Sequence, residues 1–192
     1  MSLSIDTSRR VRSLHPGGPV AEVTAALTTL LADAFTLYFK TKSFHWHMVA
    51  PDLGGFQPML DEQAEQILSI TDIIAKRVCD LGGTTLRSIG HIGRLQRLAD
   101  NDADFLTSPE MLIELASDNR QIASFLRSTR DVCDVYDDFE TANHFENWID
   151  EAEGRTWFLI EAWRAHSRPI LRPTGVATQL LGRTRGQYNE CV

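Results

Sequence analysis

Apolar or small residues occupy positions 20, 23, 27, 30, 34, 37, 41 and 44, stepping by three and four without a break. Only an α-helix places such a series on one face, because its period is 3.6 residues. Pro19 stands where a first helical turn tolerates proline. A second stripe runs through Leu60, Ala64, Ile67, Thr71, Ile74, Val78 and Leu81, with Gly82 and Gly83 as a stop signal. The third passes through Leu112, Leu115, Ile122, Leu126 and Thr129, preceded by Thr107 and Glu110 at capping-box spacing. Ala142, Phe145, Ile149, Ala152, Thr156 and Leu159 form the fourth. No segment of useful length alternates with period two, so no strand is expected.

The connections limit how four such helices can pack. "MVAPDLGGF" between the first two is short, which suits antiparallel neighbours. The segment between the second and third is long enough to run the length of a bundle, and "IGHIGRLQRL" within it can form a short helix. The expected fold is all-α: a ferritin-like four-helix bundle with a short helix in the long crossover. The expected organisation is a basic N-terminal arm over 1–18, the bundle over 19–165 and a C-terminal tail over 166–192.

With 43% hydrophobic residues in 192, the chain can bury a core. It contains no apolar run near the roughly 18–20 residues of a membrane span and no apolar leader segment. Cys79, Cys133 and Cys191 are too scattered for a disulfide framework or a zinc motif. A cytoplasmic protein with no membrane partner is the expectation. The net charge of −7 opposes nucleic-acid binding by the body of the protein. The ends differ: Arg9, Arg10 and Arg12 crowd the N-terminal arm, and Arg168, Arg172, Arg183 and Arg185 mark the tail. An acidic cluster, Asp131, Asp134, Asp137, Asp138 and Glu140, lies between them and reads as a solvated helix end or the lining of an ion pore.

Chemistry is harder to find. No glutamate is followed three residues later by histidine, so the di-metal signature of bundle interiors is missing. His144 and Glu146 lack the paired cysteines of a zinc deaminase, and no nucleophile triad or nucleotide motif occurs. No catalytic residue is assigned. The second helix offers Asp61 and Asp72, which share a face about 16 Å apart at ~1.5 Å per residue. One chain cannot bring them to the same ion. Two copies of the helix, antiparallel about a two-fold axis, could set Asp61 against Asp72 of the partner, Gln57 against Lys76 and Glu65 against Leu68. His45, at the end of the first helix, could add a nitrogen. The same residues also read as an ordinary polar interface stripe, with Lys76 a surface lysine near a helix C-terminus.

"FHWH…LDEQAEQILSITDIIAKRVCDLGGTTLRSIGHIGRL" and "TANHFENWIDEAEGRTWFL" resemble the Dps family of mini-ferritins, across roughly positions 20–165. The resemblance implies a hollow dodecamer, built through two-fold contacts of the second helix, that oxidises ferrous iron and stores the ferric mineral. It also implies possible non-specific binding and protection of DNA, here through Arg9, Arg10 and Arg12, in a nucleoid-associated setting. The family's ferroxidase site lies between two-fold-related subunits. Carried over by position, His45, Asp61 and Asp72 match its metal ligands, and Trp46 stands beside them. Gln57 replaces a histidine and Lys76 replaces a glutamate. A neutral amide and an ammonium in place of two ligands imply a degenerate site, impaired or inactive as a ferroxidase. The competing expectation is a non-catalytic, DNA-binding shell protein of the same fold.

Overall fold

A computed structural model describes residues 18–48, 53–136 and 138–167. Arg9, Arg10, Arg12, Arg168, Arg172, Arg183, Arg185, Asp137 and Cys191 lie outside them. Five helices follow in order: α1 (Pro19–His47), α2 (Leu53–Asp80), α3 (Ile89–Leu95), α4 (Ser108–Val135) and α5 (Phe139–Ser167). α1 pairs with α2 and α4 with α5, while α1–α4 and α2–α5 contacts close the bundle and α3 lies on α1.

The stripes become the core. Leu27, Leu30 and Leu37 from α1 meet Leu60, Ile67 and Ile74 from α2, Leu112, Leu115 and Leu126 from α4, and Phe145 and Leu159 from α5. Each such side chain contributes about 1.5–3 kcal/mol when removed from water. α1 between Val20 and His47 is long and apolar enough to cross a membrane by composition, contrary to the reading of its runs, yet 56% of its most apolar stretch is buried inside the bundle.

Helix ends obey local chemistry. The Thr107 hydroxyl accepts from the Glu110 amide and the Glu110 carboxylate accepts from the Thr107 amide, completing the capping box of α4. α2 stops where Gly82 takes φ 81° and the Gly83 amide reaches back to the Val78 carbonyl at 2.9 Å. A Cβ on Gly83 would sit 2.8 Å from Thr24 Cγ2, so the close approach of this turn to α1 also needs glycine. α2 starts earlier than its stripe suggests, at Leu53, and contains Pro58. That proline lies inside the helix, past its first turn, and removes one backbone hydrogen bond.

A polar line on α1 clasps the crossover. Asp33, fully buried, accepts from the Arg97 amide (2.6 Å), Nε (2.8 Å) and Nη2 (2.6 Å). The Arg97 guanidinium lies 3.7 Å from the Phe125 ring centroid, a cation–π contact with α4. Burial raises the Asp33 carboxyl above the usual range, and the Arg97 hydrogen bonds oppose that rise. Two turns on, the buried Lys40 ammonium donates to the Ala99 carbonyl (2.6 Å), Asp118 (2.8 Å) and Glu114 (3.0 Å). Burial disfavours this ammonium, but the bonds to Asp118 and Glu114 more than offset it and its pKa lies above that of ordinary lysine. Asn101 donates to the other oxygen of Glu114 at 2.6 Å.

Candidate functional site

His45, Gln57, Asp61 and Lys42 meet where α1 ends and α2 begins. His45 occupies the last turn of α1, and its Nδ1 is buried without a hydrogen-bond partner among the described residues. Gln57 is not aimed outward as a ligand. Its Nε2 donates to the His45 carbonyl at 3.3 Å, satisfying one of the orphan acceptors at the end of α1.

Asp61 is engaged by a residue that the sequence reading did not single out. Lys42, one turn before His45 on the same face of α1, places its Nζ 2.5 Å from Asp61 Oδ1. The Lys42 hydrogen bond holds the Asp61 carboxyl below the usual carboxylate range, with a smaller contribution from His45. The same bond raises the Lys42 ammonium. A lysine three residues before a candidate ligand was the available signal, but its reach to α2 depends on the offset of the α1–α2 hairpin.

Further along α2, Lys76 Nζ lies 2.5 Å from Asp72 Oδ2. Both side chains are exposed in the single chain, and the hydrogen bond to Asp72 raises the Lys76 pKa. Each candidate carboxylate therefore has its own ammonium. Among the described residues, no group of three or more His, Cys, Asp or Glu is placed to hold a metal ion.

Trp46 is 58% exposed and packs edge to face with Phe39, ring centroids 6.2 Å apart, on the outer face of α1. His47 is exposed, its Nδ1 2.7 Å from the Ser43 carbonyl. The acidic cluster is partly neutralised: Asp138 pairs with Arg77 at 2.5 Å and binds the Thr141 hydroxyl, and Arg130 lies 4.0 Å from both Asp131 and Asp134. That pattern fits a helix end better than a run of free charge.

The ferritin-like domain family matches residues 24–164. The chain belongs to the ferritin-like family, in its Dps branch. A low temperature-induced protein of Nostoc sp. is 31% identical over 130 residues, covering 67% of this chain and 73% of the relative. The DNA protection during starvation protein of Agrobacterium fabrum is 28% identical over 144 residues, 75% of this chain and 89% of that one. Among solved structures, DpsC from Streptomyces coelicolor superposes with a TM-score of 0.74 at 22% identity, covering 80% of this chain and 89% of that one. A Dps protein from Bacillus brevis gives 0.71 at 22% identity, with 74% and 95% covered. At these identities the structural likenesses establish the Dps fold and nothing about activity.

The donor set of this Dps chain fits a ferrous ion poorly. His45 Nδ1 has no hydrogen-bond partner among the described residues, which suits a cation, but Asp61 and Asp72 are salt-bridged and Gln57 is turned to the backbone. Counting His45 as neutral, the two carboxylates and two ammoniums leave the set with no net charge. Hard divalent cations are held mainly by carboxylate and other oxygen donors carrying negative charge.

Proposed function

We propose that the protein is a Dps-type shell protein whose two-fold ferroxidase locus has been converted from a metal site into an ion-paired contact. In this reading α2 packs antiparallel against α2 of a second copy, with Asp61 opposite the Asp72 of that copy, and the chain assembles as a dodecamer. Iron is the substrate and cargo of such shells, and here the two-fold locus oxidises it slowly or not at all. The observation that carries the reading is the pairing of both candidate carboxylates, Lys42 with Asp61 and Lys76 with Asp72. A ferrous ion entering there must displace two ammoniums, while Gln57 supplies no charge to help. Lys76 also brings positive charge to a place where any cation would be repelled.

The test compares ferrous oxidation, followed by ferric absorbance under air and under peroxide, in the native protein and in a Lys42→Ala, Gln57→His, Lys76→Glu variant. The native protein is expected at the rate of protein-free buffer, and the variant at least about tenfold faster. Calorimetry with cobalt(II) should show binding only in the variant. A native protein that oxidises iron as fast as the variant refutes the reading. A sedimentation mass equal to a monomer at micromolar concentration refutes the shell.

A further inference from the structure

Arg155 on α5 is 4% exposed, and its guanidinium makes one hydrogen bond among the described residues, from Nε to Asn119 Oδ1 of α4 at 2.8 Å. The four N–H groups on Nη1 and Nη2 have no acceptor among those residues, and no carboxylate forms an ion pair with them there. Gln63 on α2 is also 4% exposed, and its side-chain amide has no hydrogen-bond partner among the described residues. We propose that Arg155 and Gln63 together hold one small monoanion of chloride size inside the bundle. The site stands whether or not the protein oxidises iron.

Helix register brings the two side chains to one level. α2 and α5 run antiparallel, tied by Arg77 to Thr141 towards one end and by the edge-to-face contact of Phe56 with His166 at the other. Fourteen residues back along α2 from Arg77 stands Gln63, and fourteen forward along α5 from Thr141 stands Arg155. That interval is about four full turns, so each side chain keeps roughly the face of its starting residue. Both belong to the α2–α5 seam, the least extensive of the helix contacts. Gln63 follows Asp61 by two residues, about 200° round the helix, so the α2 face proposed to meet a second copy leaves it uncovered.

Chemistry selects the ligand. A charge taken out of water without a counter-ion is costly, and buried charges in proteins are ordinarily paired. Burial pulls the Arg155 guanidinium down to about 10, and the Glu151 carboxylate, one turn back, opposes that fall only in part. The other nearby groups are engaged. Asp118, next to Asn119 in sequence, accepts from Lys40 at 2.8 Å. Asn119 Nδ2 donates to the Leu115 carbonyl at 2.8 Å, and Glu151 Oε1 accepts from Asn147 at 2.9 Å. What remains unmet is mostly donors: four on Arg155 and two on the Gln63 amide nitrogen. A water molecule accepts about two of them and brings two donors of its own. A halide accepts several and brings none. Glu151 disfavours a second negative charge, so a monoanion is preferred to sulfate or phosphate.

Crystals of the native protein grown in gluconate and soaked in bromide test the assignment. Anomalous differences should place one bromide within hydrogen-bond reach of the Arg155 Nη nitrogens and the Gln63 amide. In solution, replacing about 100 mM gluconate by chloride at constant ionic strength should raise the melting temperature by about 3–6 °C, for a dissociation constant near 10 mM. Gln63→Leu keeps the guanidinium and should remove half or more of that rise. Arg155→Met should remove all of it, with circular dichroism reporting that the helices persist. If Arg155→Met does not fold, the bromide map and Gln63→Leu decide between them. Water alone beside Arg155, or bromide at surface lysines as an adventitious ion only, overturns the site. A chloride effect of the same size in the native protein and in either variant overturns it as well.

Discussion

Replacing Lys40 with methionine isolates the clasp that fastens the crossover to α1. The lysine is 6% exposed, and its ammonium has three acceptors at 2.6, 2.8 and 3.0 Å. Methionine keeps most of the apolar stem, so little packing is lost. What changes is that Asp118, itself 4% exposed, becomes a buried carboxylate without its cation. Removing one partner of a buried pair costs about 3–5 kcal/mol. At about 2–4 °C per kcal/mol for a chain of this size, the melting temperature should fall by roughly 6–20 °C. Differential scanning calorimetry at one fixed protein concentration measures it, because the proposed assembly would make the value concentration-dependent.

The companion variant, Lys40→Met with Asp118→Leu, removes both charges and should recover most of the loss. Amide exchange over residues 96–101 should rise in the single variant, since the Ala99 carbonyl and the Asn101–Glu114 contact lose their anchor. The raised Lys40 pKa means its stabilisation is complete below pH 10.5 and lost as alkali passes through the raised value. Alkaline melting should therefore depend on pH less in the double variant than in the native protein. A fall of less than about 2 °C for Lys40→Met, or a double variant no better than the single, would show that the buried ammonium is not what holds the crossover.

Other expectations follow from the same geometry. The Asp61 carboxyl, followed by carbon-13 NMR, should titrate with a midpoint below 3.8, and Lys42→Met should return it toward that value. Any stability from this pair is present above pH 3.8 and disappears as pH falls through the lowered midpoint, and an unshifted midpoint would mean the pair does not form in solution. Burial pushes the Cys133 thiol up to about 12, so at pH 8 a maleimide should label exposed Cys79 and leave Cys133 unmodified until the protein is unfolded. Labelling of Cys133 in the folded protein at a similar rate would contradict its burial. If the proposed shell forms, the arginines at 9, 10 and 12 should give retardation of DNA in a gel at low salt only, through many weak contacts acting together. If deleting residues 1–15 leaves that retardation unchanged, the arm is not the contact.

What could be read from the chain divides by distance. The helical stripes, the Thr107–Glu110 box and the Gly82 stop are local patterns, set by periodicity and by the chemistry of helix ends, and the structure reproduces them. The Asp72–Lys76 pair was also visible, because four residues make one turn. Asp33 with Arg97, Lys40 with Asp118 and Arg155 with Asn119 were not, since each joins residues remote in sequence and puts charge where a stripe predicts hydrocarbon. Lys42 was missed for the same reason. Nothing in its neighbourhood says which residue of α2 lies within reach. The early start of α2 was not legible because its first residues, Leu53 to Met59, precede the apolar stripe that begins at Leu60 and include Pro58.

The two lysine–aspartate pairs differ in when they can form. Lys76 and Asp72 sit one turn apart on a single helix, so their pairing needs nothing beyond α2 and can appear on the microsecond scale of helix growth. Lys42 and Asp61 wait for the hairpin of α1 and α2 to dock. Both events belong to the lone chain and would precede the proposed meeting of subunits, a step that takes milliseconds to minutes and depends on concentration. In the proposed assembly, a newly made chain would meet a second copy with each of these carboxylates already beside an ammonium. A ferrous ion meeting the lone chain would compete with an ammonium already beside each of these carboxylates.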